Sequence, residues 1–137
     1  MKTVLDVNMF VSAYLYGGVP KAVLKRAVRM LDTLFITDDI LADIEKTFRK
    51  PKFDLSNENV VSFLDDIRKY ARKVIVSPQH KAVGVCRDAD DDKILECAHA
   101  AQADYIITGD NDLLDLKKHH SVKIITARKY LDIVTLS

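Results

Sequence analysis

An excess of either charge is missing: 21 Lys and Arg stand against 20 Asp and Glu, a formal net charge of +1. The chain as a whole therefore has no general attraction for a polyanion, and any nucleic-acid affinity must come from local patches. Cysteine is scarce. Cys86 and Cys97 are too few and too far apart for a zinc knuckle or a disulfide framework, and they read as reduced thiols of a cytosolic protein. No apolar run approaches the roughly 20 residues that span a bilayer. Asp6 breaks the apolar region that a secretory signal would need in "MKTVLDVNMF". Internal repeats, low-complexity tracts and an interdomain linker are absent as well. With 137 residues and 48% hydrophobic content, the expectation is one domain over 1–137 with a single core. That describes a soluble, cytoplasmic protein with no membrane partner.

What is present is an alternation. Short apolar or β-branched runs at Thr3–Leu5, Leu34–Thr37, Val74–Val76, Tyr105–Thr108 and Val122–Thr126 are separated by segments of helical period. Near-continuous apolar strands suit a parallel sheet covered on both faces, and right-handed crossovers bring their ends to one edge. The fold class predicted is α/β, a three-layer α/β/α sandwich with a mainly parallel, roughly five-stranded central sheet. Asp38 or Asp39 is placed to cap a helix that stops before Pro51, and Ser56 or Asn57 to open the next. Residues 77–90, "SPQHKAVGVCRDAD", read as an irregular loop beside a site.

In open α/β sheets, ligands bind outside the carboxyl ends of the strands. Asp6 closes the first strand pattern and Asp110 follows a later one, so two carboxylates share one rim. A helix from about Asp91 to Ala103 adds a third. Counting i+3, i+4 and i+7 from Asp91 meets Ile94, Leu95 and Ala98, whereas counting from Asp92 meets Leu95, Glu96 and His99. Asp91 continues the inward stripe and is preferred; Asp92 is expected on the polar face. Acids at a helix start also cap free N–H groups, and Asp110 and Asp112 could serve a short following helix in that way. Capping does not require Asp88, Asp90, Asp91 and Asp92 together, nor an acid at the end of an apolar strand. Converging carboxylates raise one another's pKa, and a divalent cation relieves them. Oxygen-only ligands select Mg²⁺ or Mn²⁺, and metal-dependent phosphodiester hydrolysis is the chemistry that fits.

The segments "VLDVNMFVSA", "RDADDDKILECA" and "ADYIITGDNDLL" together resemble, in order and spacing, the acidic motifs of the PIN-domain family, and "ILADIEKTFRKPKF" resembles a helix and turn in one branch of it. That family includes the VapC-like toxins of bacterial and archaeal toxin–antitoxin pairs. The resemblance implies a metal-dependent ribonuclease acting on single-stranded RNA, with a small antitoxin protein as partner and a homodimer as its assembly. It implies metal binding by Asp6, Asp91 and Asp110, with Asp112 as a fourth ligand or the partner of a second ion. A further family acid falls on Asp43, with Glu45 as its rival; the apolar stripe of that helix does not choose between them. Val7 stands where the family often carries a hydroxyl.

Basic residues gather in three runs: Lys21, Lys25, Arg26 and Arg29; Arg49 to Lys52; and Arg68 to Lys73. Such runs are ordinarily solvated faces, but they gain meaning as flanks that bring RNA to an acidic site. His119 and His120 read as surface residues of a basic turn. Two other functions compete: an aspartyl-phosphate phosphotransfer domain with Asp6 as nucleophile, and a catalytically weak binding or assembly module.

Overall fold

The computed structural model describes residues 1–136. The chain opens with strand β1 (Lys2–Leu5), helix α1 (Val7–Leu15) and helix α2 (Gly18–Val28). Strand β2 (Thr33–Ile36) leads to helices α3 (Asp38–Phe48) and α4 (Asn57–Tyr70), with a short 3₁₀ turn over Pro51–Phe53 between them. Strand β3 (Ala71–Lys73) and a 3₁₀ turn at Pro78–His80 precede helix α5 (Ala89–Ala101). The last part runs β4 (Tyr105–Ile107), α6 (Asn111–Leu114), β5 (Lys118–His119), β6 (Val122–Ile125) and α7 (Ala127–Thr135).

The six strands lie in the order β3-β2-β1-β4-β6-β5, parallel throughout except for β5. From β1 the chain steps outward to β2 and β3, then returns past them to β4. Right-handed crossovers therefore send α1 to α4 to one face and α5 to the other. Helix α5 packs across β1, β2 and β4, while α1 packs on α2 and α2 on α7. Val4, Leu34, Ile106, Ile107 and Ile124 of the strands meet Phe10, Ile40, Ile44, Phe48, Ile94, Leu95 and Tyr130 of the helices in one core. This is the α/β/α sandwich that the alternation predicts.

Two strands depart from expectation. The apolar run Val74–Val76 is not a strand: β3 forms three residues earlier because Lys73 already pairs with Ile36, the last residue of β2. Beyond it Val74 donates one more bond to the Ile36 carbonyl at 2.9 Å, and Ile75 turns out to solvent. The sixth strand, β5, is a two-residue polar element in a hairpin with β6, and nothing in its hydropathy announces it. The cap of α3 is likewise Thr37, whose hydroxyl accepts from the Ile40 N–H, and not Asp38 or Asp39; α4 is capped by Ser56.

Candidate active site

The winding of the chain reverses between β1 and β4, and their carboxyl ends open side by side. That crevice is where this topology places ligands. Asp6 follows β1, and its N–H bonds to the Ile107 carbonyl of β4 at 3.2 Å. Thr108, wholly buried, donates its hydroxyl to Asp6 Oδ2 at 2.7 Å and accepts from the Asp110 N–H at 3.0 Å. Asp110 in turn accepts from the Asp112 N–H at 2.9 Å, which starts α6. A single threonine thus fixes the acids of two strands relative to each other. From the opposite side, Asp88 caps α5 by accepting from the Asp90 N–H, and the first turn of α5 carries Asp91 into the crevice.

The resulting cavity is small, about 230 Å³. Its walls at the crevice are Asp6, Val7, Asn8, Asp43, Lys46, Thr47, Lys50, Asp88, Asp90, Asp91 and Asp110. Asp6 and Asp91 are 5% and 8% exposed, too little to leave their charge to solvent. Burial pushes the Asp6 carboxyl above its usual range against the lowering pull of Thr108, and Asp110 adds to the rise. Asp91 is pushed up to about 7, first by burial, then by its hydrogen bond to Asp110 and by the charges of Asp110, Asp6 and Asp88. Asp91, Asp110 and Asp112 each offer an oxygen within 4.8 Å of the others, so all three can reach one ion. Asp6 is outside that tightest trio but on the same cavity wall, and Asp91 feels its charge.

Cations are distributed unevenly. Lys93 bridges Asp43 and Asp90, at 3.1 Å to each. Among the described residues no lysine or arginine forms an ion pair with Asp6, Asp91, Asp110 or Asp112. An all-oxygen donor set with surplus negative charge fits a hard divalent cation. A larger cavity, about 580 Å³, lies elsewhere, between Tyr14, Leu24, Val28 and Tyr70 with Lys21 and Lys25 on its rim. It gathers no group of acids, so the chemistry points to the smaller one.

The alternatives left open in the sequence separate here. Asp43 lines the cavity, whereas Glu45 turns away to pair with Arg49 at 2.9 Å. Asp92 is not on a polar face: it is buried and accepts from the N–H groups of Gly84 and Cys86, at 3.1 and 2.6 Å. With Glu96, which accepts from the Ala82 N–H at 3.0 Å, it pins the loop that enters α5. The basic runs thin out as well. Arg26 is held by buried Asp32 at 2.9 Å, Arg68 by Asp65 and Lys73 by Asp38, so the cations at the acid cavity are Lys46, Lys50 and Lys93. Sequence reasoning missed Thr108, Lys93 and Lys46. The signal available for Thr108 was a hydroxyl just past an apolar strand and two residues before an acid.

The family model described as PIN domain matches residues 2–112, a span that holds every acid of the cavity. The chain belongs to the PIN-domain family. This PIN domain is 27% identical over 143 residues to the uncharacterised protein MJ1680 of Methanocaldococcus jannaschii, covering 96% of this chain and 90% of that one. Its fold is similar to that in the crystal structure of VapBC2 from Rickettsia felis bound to a DNA fragment from their promoter. There the TM-score is 0.64 at 18% identity, over 90% of this chain and 97% of the other. The match to the PIN-domain model ends before β5, β6 and α7 begin.

Proposed function

We propose that this PIN domain is a Mg²⁺- or Mn²⁺-dependent endoribonuclease that hydrolyses phosphodiester bonds of single-stranded RNA, acting as the toxin of a toxin–antitoxin pair. The observation that carries the reading is the convergence of Asp6, Asp91 and Asp110 in one crevice without a basic partner, with Asp91 driven to hold a proton near neutrality. Asp91, Asp110 and Asp112 would hold the ion, with Asp6 beside them. When bound, the cation would neutralise these carboxylates, lower the pKa of a water and offset charge on the phosphodiester.

The rest falls to the chain itself. Thr108 keeps Asp6 and Asp110 in register, so neither carboxylate has to be ordered when substrate arrives. Asp43, steadied by Lys93, faces the same space and is the acid placed to orient a water. Lys46 and Lys50 stand on the α3 side of the cavity, unpaired among the described residues, and would receive the phosphates flanking the reacting bond. The toxin role, with a small antitoxin partner and a homodimeric assembly, rests on the motif resemblance and on the fold shared with VapBC2.

The phosphotransfer reading lacks its cation. The strand beyond β4, β6, is followed by Thr126, which caps α7 by accepting from the Lys129 N–H, where a lysine would be needed to hold a phosphoryl group. The test is cleavage of a mixed single-stranded RNA pool by purified protein with Mg²⁺, Mn²⁺ or chelator, beside Asp6→Asn/Asp110→Asn. Metal-dependent cleavage that disappears in the double variant is the expected result. Undiminished cleavage by that variant would sink the proposal, and a folded, antitoxin-free protein that cleaves nothing would favour the binding-module reading.

A further inference from the structure

Four histidines occur in the chain, and the fold brings all of them to one patch that the acid cavity does not use. His80 comes from the turn before α5, His99 from the last turns of α5, and His119 and His120 from the β5–β6 hairpin. His99 is eight residues beyond Asp91 on the same helix, about 12 Å of helical rise away from the acids. Polar Lys118, Ser121 and the exposed His120 surround the hairpin tip, so the patch is no extension of the core.

His99, His119 and His120 each present a ring nitrogen within 4.8 Å of the other two. The rings are in contact: His99 stacks on His120 with centroids 3.9 Å apart and planes at 15°, and His119 meets both edge-on at 5.9 and 4.5 Å. A histidine cluster can be mere packing, but packing does not explain two of its atoms. Among the described residues, His99 Nδ1 and His119 Nε2 are buried without a hydrogen-bond partner, a state that costs stability unless something satisfies it. Each is a nitrogen that a metal would satisfy. We propose that His99, His119 and His120 form a second metal site, for a single d-block cation such as Zn²⁺ or Ni²⁺, which ties the end of α5 to the β5–β6 hairpin.

His80 is excluded as a ligand by its own bond. Its Nδ1 accepts from the Ser77 N–H at 3.2 Å, which leaves the ring proton on Nε2; its role is to press edge-on against His99, at 4.8 Å between centroids. The donor set decides the ion. Three imidazoles and no carboxylate suit Zn²⁺ or Ni²⁺ and leave Mg²⁺ and Mn²⁺ to the all-oxygen cavity. Stacked rings cannot aim in-plane lone pairs at one ion, so one must tilt. His120 is the one placed to do so, being exposed at the hairpin tip with a positive φ of 54°.

The test uses the full chain without an affinity tag, stripped with chelator and titrated with Zn²⁺ and Ni²⁺ by calorimetry in excess Mg²⁺. One equivalent is expected to bind with micromolar or tighter affinity, equally in Asp91→Asn/Asp110→Asn. His120→Ala, an exposed change that spares the fold, and His119→Ala should each weaken binding by about ten-fold or more. In imidazole ¹⁵N spectra, Zn²⁺ should move the signals of His99, His119 and His120 and spare His80. Absence of micromolar binding, binding that survives either histidine variant, or binding lost in the acid variant would each overturn the proposal.

Discussion

Asp91→Asn should make the protein more stable at alkaline pH, in a way that can be sized from the structure. The wild-type carboxyl titrates near 7 when folded and near 3.8 as a free side chain, because it is buried against Asp110. Its folded pKa is raised, so the native state binds the extra proton. The stabilisation that this gives is complete below the unfolded value and fades as pH rises through the folded one. Each tenfold step in proton affinity is worth about 1.4 kcal/mol, so raising pH from about 5 to 8 removes about 2–3 kcal/mol from the metal-free wild type. Asparagine keeps the shape of the side chain and cannot ionise. For a chain of this length that difference amounts to about 7–10 °C in Tm. Thermal melts of wild type and Asp91→Asn, in chelator at both pH values, measure it as a difference of differences, so any constant effect of the substitution cancels. Added Mg²⁺ or Mn²⁺ should restore the wild type at the higher pH much more than at the lower one, and should do little for the variant. Parallel melting curves for the two proteins across the range would refute the argument that Asp91 is held protonated by its neighbours.

Other groups give sharper local tests. Thr108→Val removes the donor to Asp6 and the acceptor of the Asp110 N–H; RNA cleavage should fall about ten-fold or more, and chemical denaturation should show a loss of about 1–3 kcal/mol. Thr108→Ser, which retains the hydroxyl, should recover most of the activity. Asp92→Ala strands the N–H groups of Gly84 and Cys86 and should cost about 1–3 kcal/mol, read from urea unfolding; a change within about 0.5 kcal/mol would remove its assigned task of pinning the loop. Lys46→Ala/Lys50→Ala should weaken RNA binding and reduce the slope of log affinity against log salt by about 1.4, the value for two phosphate contacts on a single strand. An unchanged slope would move the RNA path to another face.

Strand type and order of elements were readable because the apolar runs are β-branched and the segments between them have helical period. The rim was readable because Asp6 and Asp110 directly follow such runs. What escaped was set by partners distant in sequence. Val74–Val76 has the composition of a strand, yet β2 ends at Ile36, whose pairing is taken by Lys73 and whose carbonyl accepts one last bond from Val74. Lys118–His119 has no such composition, yet the hairpin return of β6 makes it one. Periodicity put Asp91 on the inward side, where it lines the cavity, but misjudged where Asp92 goes. It treats the far side of a helix as solvent, and here the 77–90 loop covers that side. That Asp43 lines the cavity while Glu45 turns away goes with the positions of Lys93 and Arg49, which no helical wheel contains.

The aspartates around α5 show how environment, and not residue type, divides the work. Asp88 accepts a backbone N–H and caps; Asp90 is answered by Lys93; Asp92 is answered by two backbone donors of a loop. Only Asp91 meets other carboxylates, those on the β1 and β4 rim. Each neighbour that finds a donor or a cation is stabilised in its charged form, which leaves the unanswered repulsion at the mouth of the sheet. An apolar replacement for Asp91 would remove that repulsion altogether. Where it is retained, a proton on Asp91 relieves it near neutrality, and on the proposed reading a bound cation would relieve it at higher pH, so that occupancy of the crevice would be legible in the stability of the whole fold.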